Sequence, residues 1–257
     1  MTTQPTTAPS TTQPTSEVTL PGRLITLVRR RDRPVCVMLP GAGGGLGPYL
    51  QLASSLGTTH SVYAVRAAGL LPGERPETSV AEMADAALAA VGDLIPSTIF
   101  GWSLGGTVGW ELAVRLADRG ITPDLVVVDA SPLPRPATAA GDEHVRSVIL
   151  AGLGPRPEPQ TVERVLTTVG AQLRALVDYR IERTYPGRVL LLMCADSPGA
   201  NEGFTEREQA VRRWRELAPD LRVEWLSAEH FAVFDPAHLG ELIDRIAQFQ
   251  EPQEQPC

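Results

Sequence analysis

The sequence predicts an α/β fold, with a mostly parallel central sheet, helices on both faces and a helical lid insertion over one edge. Three observations carry this. Wholly apolar runs such as Val35-Cys36-Val37-Met38-Leu39, Leu125-Val126-Val127-Val128 and Val189-Leu190-Leu191-Leu192-Met193-Cys194 have the pattern of strands buried on both faces, as in parallel sheets covered by helices. Stretches with helical apolar spacing lie between strand-like runs, so the two types alternate. From about residue 131 to 187 the alternation stops and Pro-rich breakers separate helical segments, with nothing strand-like between them.

In chain order, residues 1–16 are nearly all Thr, Pro, Gln and Ser, which leaves nothing to bury and predicts a disordered tail. The globular domain is expected over 17–250, and a polar tail over 251–257. Strands are expected at Val18–Leu20, Leu24–Arg29 and Val35–Leu39. The last runs into Pro40-Gly41-Ala42-Gly43-Gly44-Gly45, and a helix over about Pro48–Leu56 follows. This glycine-rich turn lacks the Gly-Lys-Ser/Thr of a phosphate loop and any well-placed dinucleotide fingerprint. It suits instead a loop that offers a backbone N–H to a reacting carbonyl, where a side chain would obstruct approach. After the strand Ser61–Val65, Ser79 and Glu82 are spaced as a capping box opening a helix to about Val91.

The segment Ser97-Thr98-Ile99-Phe100 then leads into Gly101-Trp102-Ser103-Leu104-Gly105-Gly106 and a helix over Thr107–Ala117. Strand, Gly-x-Ser-x-Gly turn and helix together make a nucleophile elbow. Such a turn forces the serine into a sparsely allowed conformation, so the residues two places either side must be almost free of side chain. Beyond it, strands are expected at Asp124–Asp129, Val189–Cys194 and Leu221–Leu226, and helices over about Glu143–Leu153, Gln160–Tyr179, Thr205–Leu217 and Pro236–Phe249. In the insertion the apolar stripe Val162, Val165, Leu166, Leu173 and Leu176 serves either to keep water from a site at the strand ends or simply to pack a helix.

A serine hydroxyl is a weak nucleophile until a base takes its proton. Of the four histidines, His60 precedes a strand, His144 lies in the insertion and His238 falls inside the expected last helix. His230 alone follows the last strand and precedes the last helix, at the edge of the sheet expected to carry Ser103. The acid that would orient the imidazole is Asp129 or Asp196, each following a sheet strand. Either gives the order Ser, Asp, His of an α/β-hydrolase. Asp129 is reached directly from an apolar run, and a carboxylate buried there needs a partner.

The 257 residues carry a formal charge of −7 and no basic cluster beyond Arg29-Arg30-Arg31, which argues against a nucleic-acid partner. No apolar run is long enough to span a bilayer, and the N-terminus lacks the charged and apolar regions of a signal peptide, so a cytoplasmic protein without membrane attachment is expected. Three cysteines are too few for a disulfide framework. Cys36 and Cys194 read as buried thiols and Cys257 as a free terminal one.

Taken together, Gly101-Trp102-Ser103-Leu104-Gly105-Gly106, Val127-Val128-Asp129-Ala130-Ser131-Pro132 and Glu229-His230-Phe231 resemble the type I thioesterase domains that end nonribosomal peptide and polyketide assembly lines. The resemblance runs from about Arg33 to Phe249. It implies a thioesterase with Ser103, Asp129 and His230 as catalytic residues and an oxyanion hole from the backbone N–H groups of Leu104 and Ala42. The editing type II thioesterases of the same superfamily place the acid later, which would select Asp196. The family implies no cofactor of its own, since the substrate rides on the phosphopantetheine of an acyl or peptidyl carrier protein. No carrier segment lies within these residues, so the carrier is expected to be a partner, in the same protein or in another. An editing enzyme acting in trans and a general carboxylester hydrolase are the alternative readings.

Overall fold

The computed structural model describes residues 22–195 and 201–251, with side chains of the latter stretch from 206 onward. The tails, Val18–Leu20, Cys257 and Asp196 therefore lie outside the described residues.

Seven strands form one sheet among the described residues: β1 (Leu24–Val28), β2 (Val35–Leu39), β3 (Ser61–Val65), β4 (Pro96–Trp102), β5 (Asp124–Val128), β6 (Val189–Cys194) and β7 (Leu221–Leu226). Their order is β1-β3-β2-β4-β5-β6-β7. Only β1 runs antiparallel, against β3 at one edge, and the remaining pairs are parallel. The chain winds outward from β2 to β3, then crosses back to lay β4 on the other side of β2. The loops after β2 and β4 thus leave neighbouring strand ends in opposite directions, opening the crevice in which α/β sheets bind ligands.

The helices are α1 (Leu50–Leu56, preceded by a 3₁₀ turn at Gly47–Tyr49), α2 (Val80–Val91), α3 (Leu104–Ala117), α4 (Ala139–Ala151), α5 (Pro159–Val177), α6 (Asn201–Leu217) and α7 (Leu239–Gln250). Strand alternation divides the core into two layers. Ile99, Leu125, Val127, Leu191 and Met193 pack towards α2, α3 and α6. Phe100, Val126, Val128, Leu190 and Leu192 face α1 and α7. Each such side chain, fully removed from water, contributes about 1.5–3 kcal/mol of transfer free energy. In the first layer Trp110 and Trp214 lie with ring centroids 4.8 Å apart. Their indole N–H groups donate to the carbonyls of Arg183 and Ala130, each at 3.0 Å. The second of these bonds ties α6 to the residue just after Asp129.

Several boundaries differ from the sequence reading, for local reasons. Helix α3 starts at Leu104 rather than Thr107, because Gly105 and Gly106 continue the helix out of the turn. Helix α4 starts at Ala139, where the Thr138 hydroxyl accepts from Gly141 N–H. Helix α7 starts at Leu239, because the Asp235 carbonyl takes the N–H groups of both His238 and Leu239 and spends Pro236 in a turn. His238 is thus the residue before the helix, not inside it. Ser79 does cap α2 by accepting from Glu82 N–H at 3.2 Å. The Glu82 carboxylate reaches back one residue further than a capping box requires, to the N–H and hydroxyl of Thr78.

Candidate active site

The turn between β4 and α3 holds Ser103 at φ 55°, ψ −126°. A non-glycine residue in that region costs on the order of 1–3 kcal/mol and persists only where its surroundings over-determine it. Here they do. Ser103 N–H donates to Val128 O at 2.8 Å, locking the turn to the end of β5. A Cβ at Gly101 would lie 2.2 Å from the Gly105 carbonyl oxygen, and one at Gly105 would lie 2.1 Å from that of Leu39. Both positions require glycine for close backbone approach, as expected from the motif.

His230, on the loop between β7 and α7, brings its imidazole between two partners. Nε2 lies 3.1 Å from Ser103 Oγ, and Nδ1 lies 2.7 Å from Asp129 Oδ2. The imidazole is 29% exposed and the carboxylate 6%. Asp129 follows β5 with φ 45°, pinned by its N–H to Leu192 O at 2.7 Å. Its other carboxylate oxygen accepts from Cys194 N–H at 3.0 Å. Burial works to raise the Asp129 carboxyl, but the hydrogen bond and charge of His230, the Cys194 N–H and the Arg207 guanidinium together hold it below the ordinary carboxylate range. The nearby Cys194 thiol is pushed well up by burial and by Asp129, and burial pushes Cys36 up to about 12, so both stay protonated near neutral pH.

Trp102, which the motif treats as a variable position, holds the histidine loop in place. Its indole N–H donates to the His230 carbonyl at 3.2 Å, and its ring lies against the imidazole at 5.0 Å between centroids. Ser227, just ahead of the histidine, is fixed to α7 because its N–H and hydroxyl both donate to the Glu241 carboxylate.

A cavity of about 630 Å³ opens at these side chains, and Ala42, Leu104, Leu173 and Leu176 also line it. Ala42 sits in the turn after β2, closed by a hydrogen bond from Gly44 N–H to Gly41 O at 3.0 Å. Leu104 is the first residue of α3, where the leading N–H groups of a helix have no partner within it and the helix dipole favours negative charge. Helices α4 and α5 lie over the strand ends, with Val165, Val169 and Leu173 packed against Leu70, Val145 and Ile149. Of the predicted stripe, Val165 and Leu173 are buried, and Leu173 and Leu176 reach the cavity wall. His144 also reaches that wall, with its ring 5.5 Å from that of Phe231. His60 lies at the start of β3, the opposite end of the sheet, bonded to Thr59. Among the described residues no group of three or more His, Cys, Asp or Glu converges as a metal would require, and no helix is long and apolar enough to cross a membrane.

The chain is similar to several known proteins. Indigoidine synthase of Streptomyces lavendulae is 30% identical over 127 residues, 48% of this chain and 10% of that protein. The chain thus spans about a tenth of that relative's length. The thioesterase frbE of Dothideomycetidae sp. (strain 11243) is 26% identical over 231 residues, covering 80% of this chain and 85% of that one. Among solved structures, the NocB thioesterase domain in covalent complex with a fluorophosphonate nocardicin G analog superposes with a TM-score of 0.69 at 27% identity, covering 85% of this chain and 95% of that one. A family model described as a thioesterase domain matches residues 34–249. The chain belongs to the thioesterase domain family.

Proposed function

We propose that this domain releases an acyl or peptidyl chain from a carrier protein in natural-product biosynthesis, through an ester on Ser103. The observation that carries the reading is the His230 imidazole within hydrogen-bond reach of both Ser103 Oγ and the Asp129 carboxylate. His230 Nε2 takes the hydroxyl proton as Oγ attacks the thioester carbonyl. The oxyanion is held by the N–H groups of Leu104 and Ala42, each such donor contributing about 3–4 kcal/mol to the transition state. The tetrahedral adduct collapses with loss of the C–S bond, and the imidazolium returns the proton to the departing phosphopantetheine thiolate. His230 then deprotonates water, giving the free acid, or an amine or hydroxyl of the same chain, giving a ring. Asp129 keeps the imidazole in the tautomer with its proton on Nδ1 and stabilises its charged form.

The match to a small part of indigoidine synthase supports a domain within a longer protein. The match over most of frbE supports the second reading, an editing type II enzyme that meets its carrier as a separate chain. Mixing the domain with a synthetic acyl thioester and weighing the intact protein tests the chemistry. An acyl adduct on Ser103 is expected, absent in Ser103→Ala and His230→Ala, and the released product distinguishes hydrolysis from ring closure. Wild-type turnover by Ser103→Ala would overturn the mechanism. Turnover of small soluble esters with none of carrier-bound thioesters would assign a general carboxylester hydrolase instead.

A further inference from the structure

Helix α5 carries a polar stripe, Arg164, Thr168 and Gln172, spaced four apart and so on one face. This face turns towards the body of the domain. Arg164 Nε donates to Leu70 O at 3.2 Å, and the buried Thr168 hydroxyl sits where a Cβ on Gly69 would meet it at 2.5 Å. Gln172 is only 4% exposed, and its Oε1 accepts the N–H of Gly43 at 2.7 Å. A buried amide is tolerated where it is satisfied, so this contact is a specific link between the insertion and the turn after β2. Gly43 lies at φ 88°, and a Cβ there would meet Ile149 of α4 at 3.0 Å. Both helices of the insertion therefore press on this one residue.

The hydrogen bonds of the turn show what the link controls. Gly41 N–H donates to the Tyr49 hydroxyl at 2.7 Å, Gly43 N–H to Gln172, and Gly44 N–H to Gly41 O. Ala42 lines the cavity between two anchored neighbours, and its N–H has no hydrogen-bond partner among the described residues. We infer that Gln172 is a positioning residue, holding the Gly41–Gly44 turn so that Ala42 N–H meets the oxyanion, and that the seating of the insertion on the sheet is thereby coupled to the completeness of the oxyanion hole. The inference rests on the acyl-Ser103 reading. It adds that the insertion acts on the rate of the chemical step and does more than cover the substrate.

The test compares Gln172→Met, which keeps the side-chain length and removes the acceptor, with Arg164→Met, which cuts the neighbouring link to Leu70 without touching the turn. Both are assayed with an N-acetylcysteamine acyl thioester, and rates are divided by the active sites titrated to completion with a fluorophosphonate, so that misfolded protein is not counted. Gln172→Met should lower kcat by about 10- to 100-fold, part of the 10²- to 10³-fold lost when an oxyanion donor is removed outright, with KM within about twofold. Arg164→Met should keep kcat within about twofold. Wild-type kcat in Gln172→Met would overturn the inference, as would an equal loss in both variants, which would mean that seating the helix matters but the hydrogen bond does not. Failure of the underlying reading has a different signature, equal turnover by wild type and Ser103→Ala.

Discussion

The change Asp129→Asn tests the proposed charge arrangement with almost no change of shape. The Cys194 N–H donates to Asp129 Oδ1, so an asparagine at this position keeps its carbonyl oxygen there and turns its NH₂ towards His230. Two donors would then face each other across the 2.7 Å now spanned by Nδ1 and Oδ2, and the imidazole must move its proton to Nε2 to relieve them. In that tautomer Nε2 donates to Ser103 Oγ and cannot take its proton. The loss expected for an acid-to-amide change in a Ser-His-Asp triad is about 10⁴-fold in kcat, or about 5 kcal/mol of transition-state stabilisation.

The assay is steady-state release of thiol from an N-acetylcysteamine thioester, with Tm measured alongside. Removing one charge-assisted bond costs about 1.5–3 kcal/mol, which in a domain of this size lowers Tm by several degrees and leaves it folded. The companion change Asp196→Asn, at the other acid the sequence offers, should leave kcat within a few-fold of wild type. If Asp129→Asn stays within tenfold of wild type, or if Asp196→Asn proves the more damaging, the tautomer argument is wrong and the acid must be moved.

Gly105→Ala would put a methyl carbon 2.1 Å from Leu39 O and 2.7 Å from Pro40 O, both backbone atoms, so α3 must shift by about 1 Å; a loss of about 1–3 kcal/mol in denaturant unfolding and about 10²-fold in turnover should follow. The Cys36 thiol, fully buried and pushed up to about 12, should resist iodoacetamide at pH 8 in the native protein and react at once in denaturant; peptide mass spectrometry reads this, and native labelling at the rate of a free thiol would contradict the core described. The Asp129 carboxyl titrates below its ordinary 3.8 in the fold, so the folded state binds that proton less readily than the unfolded one. Its contribution to stability is complete well above pH 3.8 and drains away as pH falls past that value and through the lower folded one. Tm plotted against pH should therefore fall more steeply below pH 4 in wild type than in Asp129→Asn, and parallel curves would refute the assignment.

What the sequence made legible, and what it hid, divides by the range of the signal. Ser103 and Asp129 stand at strand ends that apolar runs announce within a few residues, and His230 follows the alternating strand Leu221–Leu226, so their common edge follows once the strands are known to be parallel. The Gly-x-Ser-x-Gly spacing likewise announces its own steric need, which Gly101 and Gly105 meet through contacts with Gly105 and Leu39. Helix starts were less legible where a cap competes with a pattern. Pro236 suggests a first helical turn, yet the Asp235 carbonyl binds two N–H groups and delays the helix to Leu239.

The residues that hold the site together were not legible at all, because their partners lie far away in sequence. Trp102 occupies the position that Gly-x-Ser-x-Gly leaves open, and only the folded chain brings it beneath the His230 carbonyl, 128 residues on. Cys194 supports Asp129 through its backbone N–H, which its side chain does not advertise. Gln172 read alone is a polar position on an amphipathic helix and would be assigned to solvent, but its partner is Gly43, 129 residues earlier. Local pattern thus picks out candidates for the reacting groups, because a nucleophile, base and acid each carry a chemical type. The supporting hydrogen bonds use groups that every residue or many residues possess, and tertiary contact alone selects among them. Exchanging Trp102 for Leu should therefore leave the motif intact to the eye yet loosen the His230 loop, lowering kcat while fluorophosphonate still reaches Ser103. Unchanged kcat would show that Ser227 and α7 suffice to hold the loop.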